Sequence, residues 1–201
     1  MSLMFGRNSD KIQQILLKTP FNSSQRQQRQ FWRWLLSAFN SVDRARIKEV
    51  GPDQAAAEWL LKNGAAIKWK GSERFVTDYN SVLAGGGKRH LEEIFAADAS
   101  ISGIGFQYFN DLKHVKKIQL IQCTQINDGC LSLLEKLKDS LEDLEIRKCH
   151  YVTDEGLINL TKLTNLKRLY LFNLLGVKDR EKALSKLKKE MTNCNIEYPP
   201  D

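Results

Sequence analysis

The chain is short of the residues that several functional classes need. Its 201 residues include only four cysteines, which are too few for a disulfide framework and follow no zinc-finger spacing. No apolar run approaches the roughly 18–20 residues that a membrane-spanning helix requires, which argues against an integral membrane protein. The three histidines, His90, His114 and His150, are scattered, and none forms an H-x-x-x-H pair for a metal.

A catalytic constellation is also missing. Cys149 and His150 are adjacent, but neighbouring residues at a strand end point to different faces, so we expect no nucleophile–base dyad. Residues 84–89 (AGGGKR) invite comparison with a phosphate-binding loop. The Walker pattern, however, needs glycine where Val82 stands and Ser or Thr where Arg89 stands. We therefore interpret this stretch as a flexible basic connector and predict a protein without enzymatic activity.

Positive charge is concentrated at the N-terminus. The net charge is +7, and residues 1–30 hold five bases against the single acid Asp10, a net +4. This head is amphipathic, with apolar residues at Ile12, Ile15, Leu16 and Leu17. A basic, acid-poor, amphipathic start is typical of a mitochondrial transit peptide, with a disordered basic tail as the alternative. Because the remaining chain carries only +3, we expect no nucleic acid partner.

Residues 31–84 are predicted to form a helical N-terminal capping domain. The Gly51-Pro52-Asp53 triplet predicts a helix start, and Gly64 predicts the end of that helix. The four tryptophans, at 32, 34, 59 and 69, are expected to pack between the helices of this domain. An apolar stripe N-terminal to Gly51 predicts a second, buried helix. Its members are Phe31, Trp32, Trp34, Leu35, Leu36 and Phe39.

Residues 85–180 contain a repeat. The frame of Leu141, Leu144, Ile146, Cys149 and Val152 recurs 26 residues earlier and 25 residues later, and a fainter copy stands further upstream. This is the cysteine-containing leucine-rich repeat pattern, which predicts parallel strands and returning helices. We therefore predict an α/β fold, a short solenoid of about four repeats behind the cap. Residues 181–201 form the C-terminal cap and tail, with an amphipathic helix expected over 180–191.

Several repeat positions have a predicted structural role. Cys123 and Cys149 occupy the same place in successive repeats and are expected to be buried structural cysteines. Asp128 and Asp154 also recur in register, and we expect them to cap the starts of the returning helices. Cys194 is expected to be the accessible thiol.

Strand alternation predicts a concave surface. If the L-x-L residues point inward, the residues between and after them point outward in two columns. The columns are Phe95–Gln119–Glu145–Tyr170 and Ala97–Ile121–Arg147–Phe172. Apolar groups around one acid and one arginine favour protein docking, with coverage by the cap or the tail as the alternative. The candidate partner-binding residues are Phe95, Ile121, Glu145, Arg147, Tyr170 and Phe172.

These motifs resemble those of a known family. The block GPDQAAAEWLL at residues 51–61, FWRWL at 31–35, DYN at 78–80 and the cysteine-type repeats are similar to the mitochondrial ATP synthase subunit s (coupling factor B) family. The likeness covers roughly residues 31–180. It implies a non-enzymatic protein, peripheral on the matrix side of the inner membrane. It also implies binding to the membrane sector or stalk of the ATP synthase and support of proton-driven ATP synthesis by preventing a proton leak.

The resemblance also implies a ligand and leaves alternatives open. The family's weak Mg²⁺ site uses main-chain carbonyls that match Gly64 and Ala97, and no other cofactor is implied. Ile121 stands where the family has a second cysteine two residues before Cys123, so a dithiol role does not carry over. A sister family assists assembly of the complex I membrane arm. A more distant leucine-rich repeat class recruits substrates for ubiquitylation, and self-association of the chain also stays open.

We predict that the basic head directs mitochondrial import and is largely removed afterwards, because its charge and amphipathicity are those of a transit segment. Mass spectrometry of the organelle-associated protein should find an N-terminus well beyond Met1. An intact Met1 terminus on that form would contradict the prediction.

Overall fold

The alternating apolar residues of each repeat build one strand of a shared sheet. The computed structural model describes residues 23–84 and 87–200, so the head up to residue 22 and Gly85-Gly86 of the connector lie outside the described residues. Strand β1 is antiparallel to β2, and each later strand is parallel to the one before it. The six strands pair in chain order: β1 Ala66–Trp69, β2 Leu91–Ala97, β3 Lys117–Ile121, β4 Asp143–Arg147, β5 Arg168–Phe172 and β6 Asn195–Glu197.

Helices precede the sheet and connect its strands. Within the described residues, the helices before β2 are α1 Ser23–Asn40, α2 Arg44–Val50, α3 Pro52–Lys62 and α4 Tyr79–Ala84. The returning segments are the 3₁₀ helix Gly105–Asp111, α5 Asp128–Leu133 with the 3₁₀ turn Leu134–Leu137, α6 Asp154–Asn159 with Leu160–Lys162, and α7 Arg180–Glu190. Helix α3 begins at Pro52, as the sequence predicts, and α1 crosses the boundary set at residue 30. The predicted α/β solenoid is confirmed.

A left-handed residue follows each of the four central strands. Asp98, Gln122, Lys148 and Asn173 have φ values of 49–55°. The amide of Gln122 donates to the Arg147 carbonyl at 2.8 Å, which extends the sheet pairing by one bond. The next residue is buried in every copy, as with Cys123 and Cys149, so the left-handed turn directs the small repeat cysteine into the core.

The repeat aspartates do not cap their own helices, and that prediction is wrong. Asn127 and Thr153 provide the cap bonds of α5 and α6. Asp128 instead accepts hydrogen bonds from the amide (2.8 Å) and hydroxyl (2.6 Å) of Thr153 in the following repeat. Asp154 accepts from the Lys178 amide at 3.0 Å, and this bond lowers the pKa of Asp154. Each carboxylate therefore joins its own repeat to the next one.

The aromatic stripe forms helix α1 as expected, but the helix is not buried. Its apolar residues occupy more than one side of the helix, and a single contact with the body cannot cover all of them. Of the tryptophans, Trp59 and Trp69 lie in the core, whereas Trp32 is half-buried. The exposed members of the stripe are Phe31 (52%), Trp34 (63%) and Phe39 (50%).

The buried cysteines yield a labelling prediction. Desolvation raises the pKa of Cys123 to about 12 and that of Cys149 to about 11. Cys194 also has a pKa raised by burial, to about 11, but it is partly exposed. Because the thiolate is the reactive form and needs access, a thiol reagent should modify Cys194 first in the folded protein.

We expect Cys123 and Cys149 to react only on unfolding, as followed by mass spectrometry of reagent-treated protein. Cys149→Ser should destabilise the fold by about 1–3 kcal/mol, because it places a more polar group in an apolar site. Fast labelling of either repeat cysteine in the native state would contradict this assignment.

Candidate docking surface

The concave surface consists of the outward residues of β2–β5. Parallel pairing sets Phe95 beside Gln119, then Glu145, then Tyr170, and it aligns the second column in the same way. All eight residues of the two columns are partly exposed, whereas the flanking Leu169 is buried. The structure therefore brings the candidate residues together in the arrangement expected from alternation. Their role in binding a partner stays a prediction.

The centre of the concave surface is a hydrogen-bonded polar group. Gln119 donates from Nε2 to Glu145 Oε2 at 2.6 Å, and Arg147 Nε lies 2.6 Å from Glu145 Oε1. The Glu145 side chain is largely buried, and its charge is compensated by Arg147. A partner would therefore contact side chains that are already oriented and whose charges neutralise each other, with Ile121, Tyr170 and Phe172 beside them.

A third column, of charged residues, lies along the strand starts. Its members alternate in sign across the sheet: Lys68, Glu93, Lys117, Asp143 and Arg168. Lys68 pairs with Glu93, and Asp143 lies 3.8 Å from Lys117 and 2.8 Å from Arg168. Opposite charges on neighbouring strands support this register. Strand alternation alone could have located this column. On β2–β5 each member lies two residues before the corresponding residue of the Phe95–Gln119–Glu145–Tyr170 column.

Part of the concave surface is covered by the cap. The Phe75 ring, from the segment after β1, meets the Phe95 ring edge-on with centroids 6.1 Å apart. At the other end, β6 places Glu197 beside Tyr170 and so extends the sheet instead of covering it. The uncovered apolar candidates are therefore Ile121, Tyr170 and Phe172.

Two histidines that stand far apart in the sequence, His90 and His114, are in contact in the structure. The rings of His90 and His114 have centroids 4.1 Å apart, and His90 Nδ1 lies 3.4 Å from Asp53 Oδ2. They stand 24 residues apart, which is one repeat, so the repeat offset could have predicted the pair. Burial lowers the pKa of His114, and the nearby His90 and Lys70 lower it further.

The candidate metal carbonyls lie on two neighbouring segments. Gly64, with φ +86°, follows α3, and a Cβ placed on it would lie 4.0 Å from the Ala99 Cα. The Ser100 amide donates to the Asn63 carbonyl at 2.9 Å, so the turn at Gly64 and the loop after Ala97 are in contact. Across residues 23–84 and 87–200, no group of three or more His, Cys, Asp or Glu side chains could hold a metal ion.

The adjacent Cys149 and His150 do not form a dyad. Cys149 is fully buried, and its Sγ donates to the Arg147 carbonyl at 3.5 Å, whereas His150 is exposed.

None of the helices in the described part of the chain is long and apolar enough to cross a bilayer.

The fold and its concave surface define a leucine-rich repeat protein with a helical cap, a class built for binding other proteins. No family model matches the chain. It is 41% identical over 198 residues to ATP synthase subunit s, mitochondrial, of Bos taurus, covering 96% of this chain and 97% of that protein. The Rattus norvegicus protein of the same name is 44% identical over 183 residues (89% and 90%), and the Homo sapiens protein 39% over 196 residues (96% of each). The chain belongs to the mitochondrial ATP synthase subunit s family.

Proposed function

We propose that this protein is a non-enzymatic accessory factor of the mitochondrial ATP synthase. It binds peripherally on the matrix side of the inner membrane and supports proton-driven ATP synthesis by preventing a proton leak. The observation that carries this proposal is identity of 39–44% to proteins named as subunit s of that enzyme, over nearly the whole length of each chain.

The concave surface is the part of the molecule best suited to hold the complex. Its apolar flank of Ile121, Tyr170 and Phe172 offers rigid anchor groups, and aromatic anchors often contribute 2 kcal/mol or more at an interface. The ion-paired Glu145 and Arg147 are already positioned before binding. Polar groups held in this way orient a partner and exclude wrong ones more than they add affinity.

Removing the aromatic anchors should weaken association without unfolding the protein. Tyr170→Ala combined with Phe172→Ala should reduce affinity for the ATP synthase about thirtyfold and leave stability within about 1 kcal/mol. Leu169→Ala is the matched control, because Leu169 lies on the same strand but fills the core. It should cost about 2–5 kcal/mol of stability. Melting curves and affinity purification from solubilised mitochondria measure both effects.

The same purification tests the assignment to the ATP synthase. If the double variant recovers the complex as well as the unmodified chain does, the docking surface lies elsewhere, on the cap or on α7. If the unmodified chain recovers complex I intermediates or ubiquitin-ligase subunits in place of ATP synthase, the proposed partner is wrong.

We also propose a weak, largely hydrated Mg²⁺ site at the carbonyls of Gly64 and Ala97. The contact between their two segments supports it, and with few protein ligands the ion would keep most of its water. Mg²⁺ should therefore raise the melting temperature slightly, and a chelator should reverse the rise.

Two glycine variants make this metal test specific. Gly64→Ala should lose the Mg²⁺ effect, because alanine is strained at φ +86° and the turn must shift. Gly71→Ala is the control: its φ of +81° imposes similar strain away from the site. Ala97→Thr should keep the effect, since a carbonyl ligand does not depend on the side chain. An unmodified chain that does not respond to Mg²⁺, or an equal response in Gly64→Ala, would contradict the site.

A further inference from the structure

We propose that the edge of the sheet at the starts of β2 and β3 binds a phosphate group, as inorganic phosphate or as a phosphate monoester. The site is built around the contact between the rings of His90 and His114, whose centroids lie 4.1 Å apart. His90 directly precedes β2, and His114 lies three residues before β3. Because β2 and β3 are parallel neighbours, the two segments enter the sheet side by side and bring one imidazole each to the same edge.

Lysines stand beside the histidine pair. Lys70 directly follows β1, which is antiparallel to β2, and its amide donates to the His90 carbonyl at 2.8 Å. Lys116 lies two residues after His114, and its ammonium group is 3.4 Å from Glu92. Both lysines are exposed. Burial is the first cause and His90 the second of the lowered pKa of His114, and the charges of Lys70 and Lys116 lower it further.

Positive charge in this cluster exceeds the negative charge that faces it. Asp53, on α3, is the carboxylate next to the pair: its Oδ1 accepts from the Leu91 amide at 2.8 Å, and its Oδ2 lies 3.4 Å from His90 Nδ1. Asp53 therefore orients His90 and leaves the other ring nitrogen, Nε2, for a ligand. Among the residues that the structure describes, neither Lys70 nor Lys113 forms an ion pair with a carboxylate, so an anion can bind without displacing one.

A phosphate group suits this cluster better than a carboxylate does. Two imidazoles and two ammonium groups offer donors from several directions, and a tetrahedral oxyanion can accept from more of them at once than a planar carboxylate can. A phosphate monoester carries about −1.5 to −2 charges at neutral pH. That charge would stabilise the protonated form of His114, which the neighbouring lysines alone disfavour.

The site is separate from the docking surface. None of its residues belongs to the concave surface, so a phosphate group and a protein partner can be bound together. All of its residues also lie after residue 30, so the predicted removal of the basic head leaves the site complete.

Nuclear magnetic resonance of the three histidines tests the site on the full chain. Inorganic phosphate is added at constant ionic strength, with sodium acetate as the comparison. Phosphate should move the imidazole signals of His90 and His114 and raise the pKa of His114 by about one unit. Binding should tighten as the pH falls from about 8 to about 6.5, because protonated imidazole adds positive charge beside Lys70 and Lys116 that Asp53 does not cancel. His150, exposed in a later repeat, is the internal reference and should not move.

Two lysine variants make the test specific. Lys70→Ala should bind phosphate about tenfold more weakly, because it removes an unpaired charge from the cluster. Lys186→Ala is the matched control, since Lys186 is an equally exposed lysine on α7, and it should bind as the unmodified chain does. Both variants should melt at the temperature of the unmodified chain, because both side chains are exposed.

Two sources of the phosphate group are then compared. Glycerol phosphate presents it in solution, and phosphatidylcholine vesicles that contain phosphatidic acid present it at a bilayer. Binding to glycerol phosphate that Lys70→Ala weakens assigns a soluble ligand, whereas vesicle binding alone that Lys70→Ala weakens assigns a lipid headgroup.

Three results would overturn the inference. It is wrong if none of the phosphate forms moves the signals of His90 and His114 or is bound in a way that depends on Lys70. It is wrong if acetate acts as strongly as phosphate, and also if Lys186→Ala weakens binding as much as Lys70→Ala does. Because these experiments contain no ATP synthase, their failure leaves the proposed function standing, and loss of the proposed complex leaves the phosphate result standing.

Discussion

One buried carboxamide joins the cap to the repeats, and the position of the concave surface depends on it. Asn40, at the end of α1, donates to the Ser100 carbonyl at 3.0 Å and to Asn63 Oδ1 at 3.2 Å. Its own oxygen accepts from the Trp59 indole at 3.2 Å and from the Ser102 amide at 2.9 Å. Each buried polar group left without a partner costs about 1–3 kcal/mol, so α1, α3 and the loop after β2 cannot separate independently.

Aromatic packing around Trp59 completes that joint and explains why the first repeat differs from the others. The Trp59 ring stacks on Tyr108 with centroids 5.5 Å apart, and a Cβ on Gly105 would lie 2.1 Å from the indole. The 3₁₀ helix Gly105–Asp111, which is the returning segment of the first repeat, therefore packs closely against Trp59 and needs glycine as its first residue. The cap thus takes the place of the missing repeat before β2, which a solenoid needs in order to bury its open end.

The repeat period predicted the strands β2–β5 and the facing columns residue by residue, because each of these strands is fixed by apolar alternation that tolerates no slip. It did not predict β1 or β6, which lie outside the repeat frame. The sequence-based predictions were wrong where burial or hydrogen bonding depends on residues that are distant in the sequence. Phe31 and Trp34 carry the composition of a core helix, but the body covers only part of α1. The sequence is equally compatible with Asp128 capping its own helix and with Asp128 accepting hydrogen bonds from the next repeat. Only the packed neighbouring repeat decides between the two roles. Contact between His90 and His114 follows from the repeat, not from any short motif.

Two titratable groups, one in the cap and one in the first repeat, have pKa values below their ordinary ones. Burial raises the pKa of Glu58, but hydrogen bonds from Arg46 and Gln54 outweigh it, and the pKa lies below its ordinary value. The stability that ionised Glu58 contributes is present above its unfolded pKa and is lost only as the pH falls through the lowered one. His114, whose pKa is lowered, favours the folded state while it is neutral, and this contribution is lost as the pH falls from the ordinary pKa of histidine through the lowered one. Both groups therefore keep one charge state at neutral and mildly alkaline pH, so neither adds a pH dependence to the stability of the fold in that range.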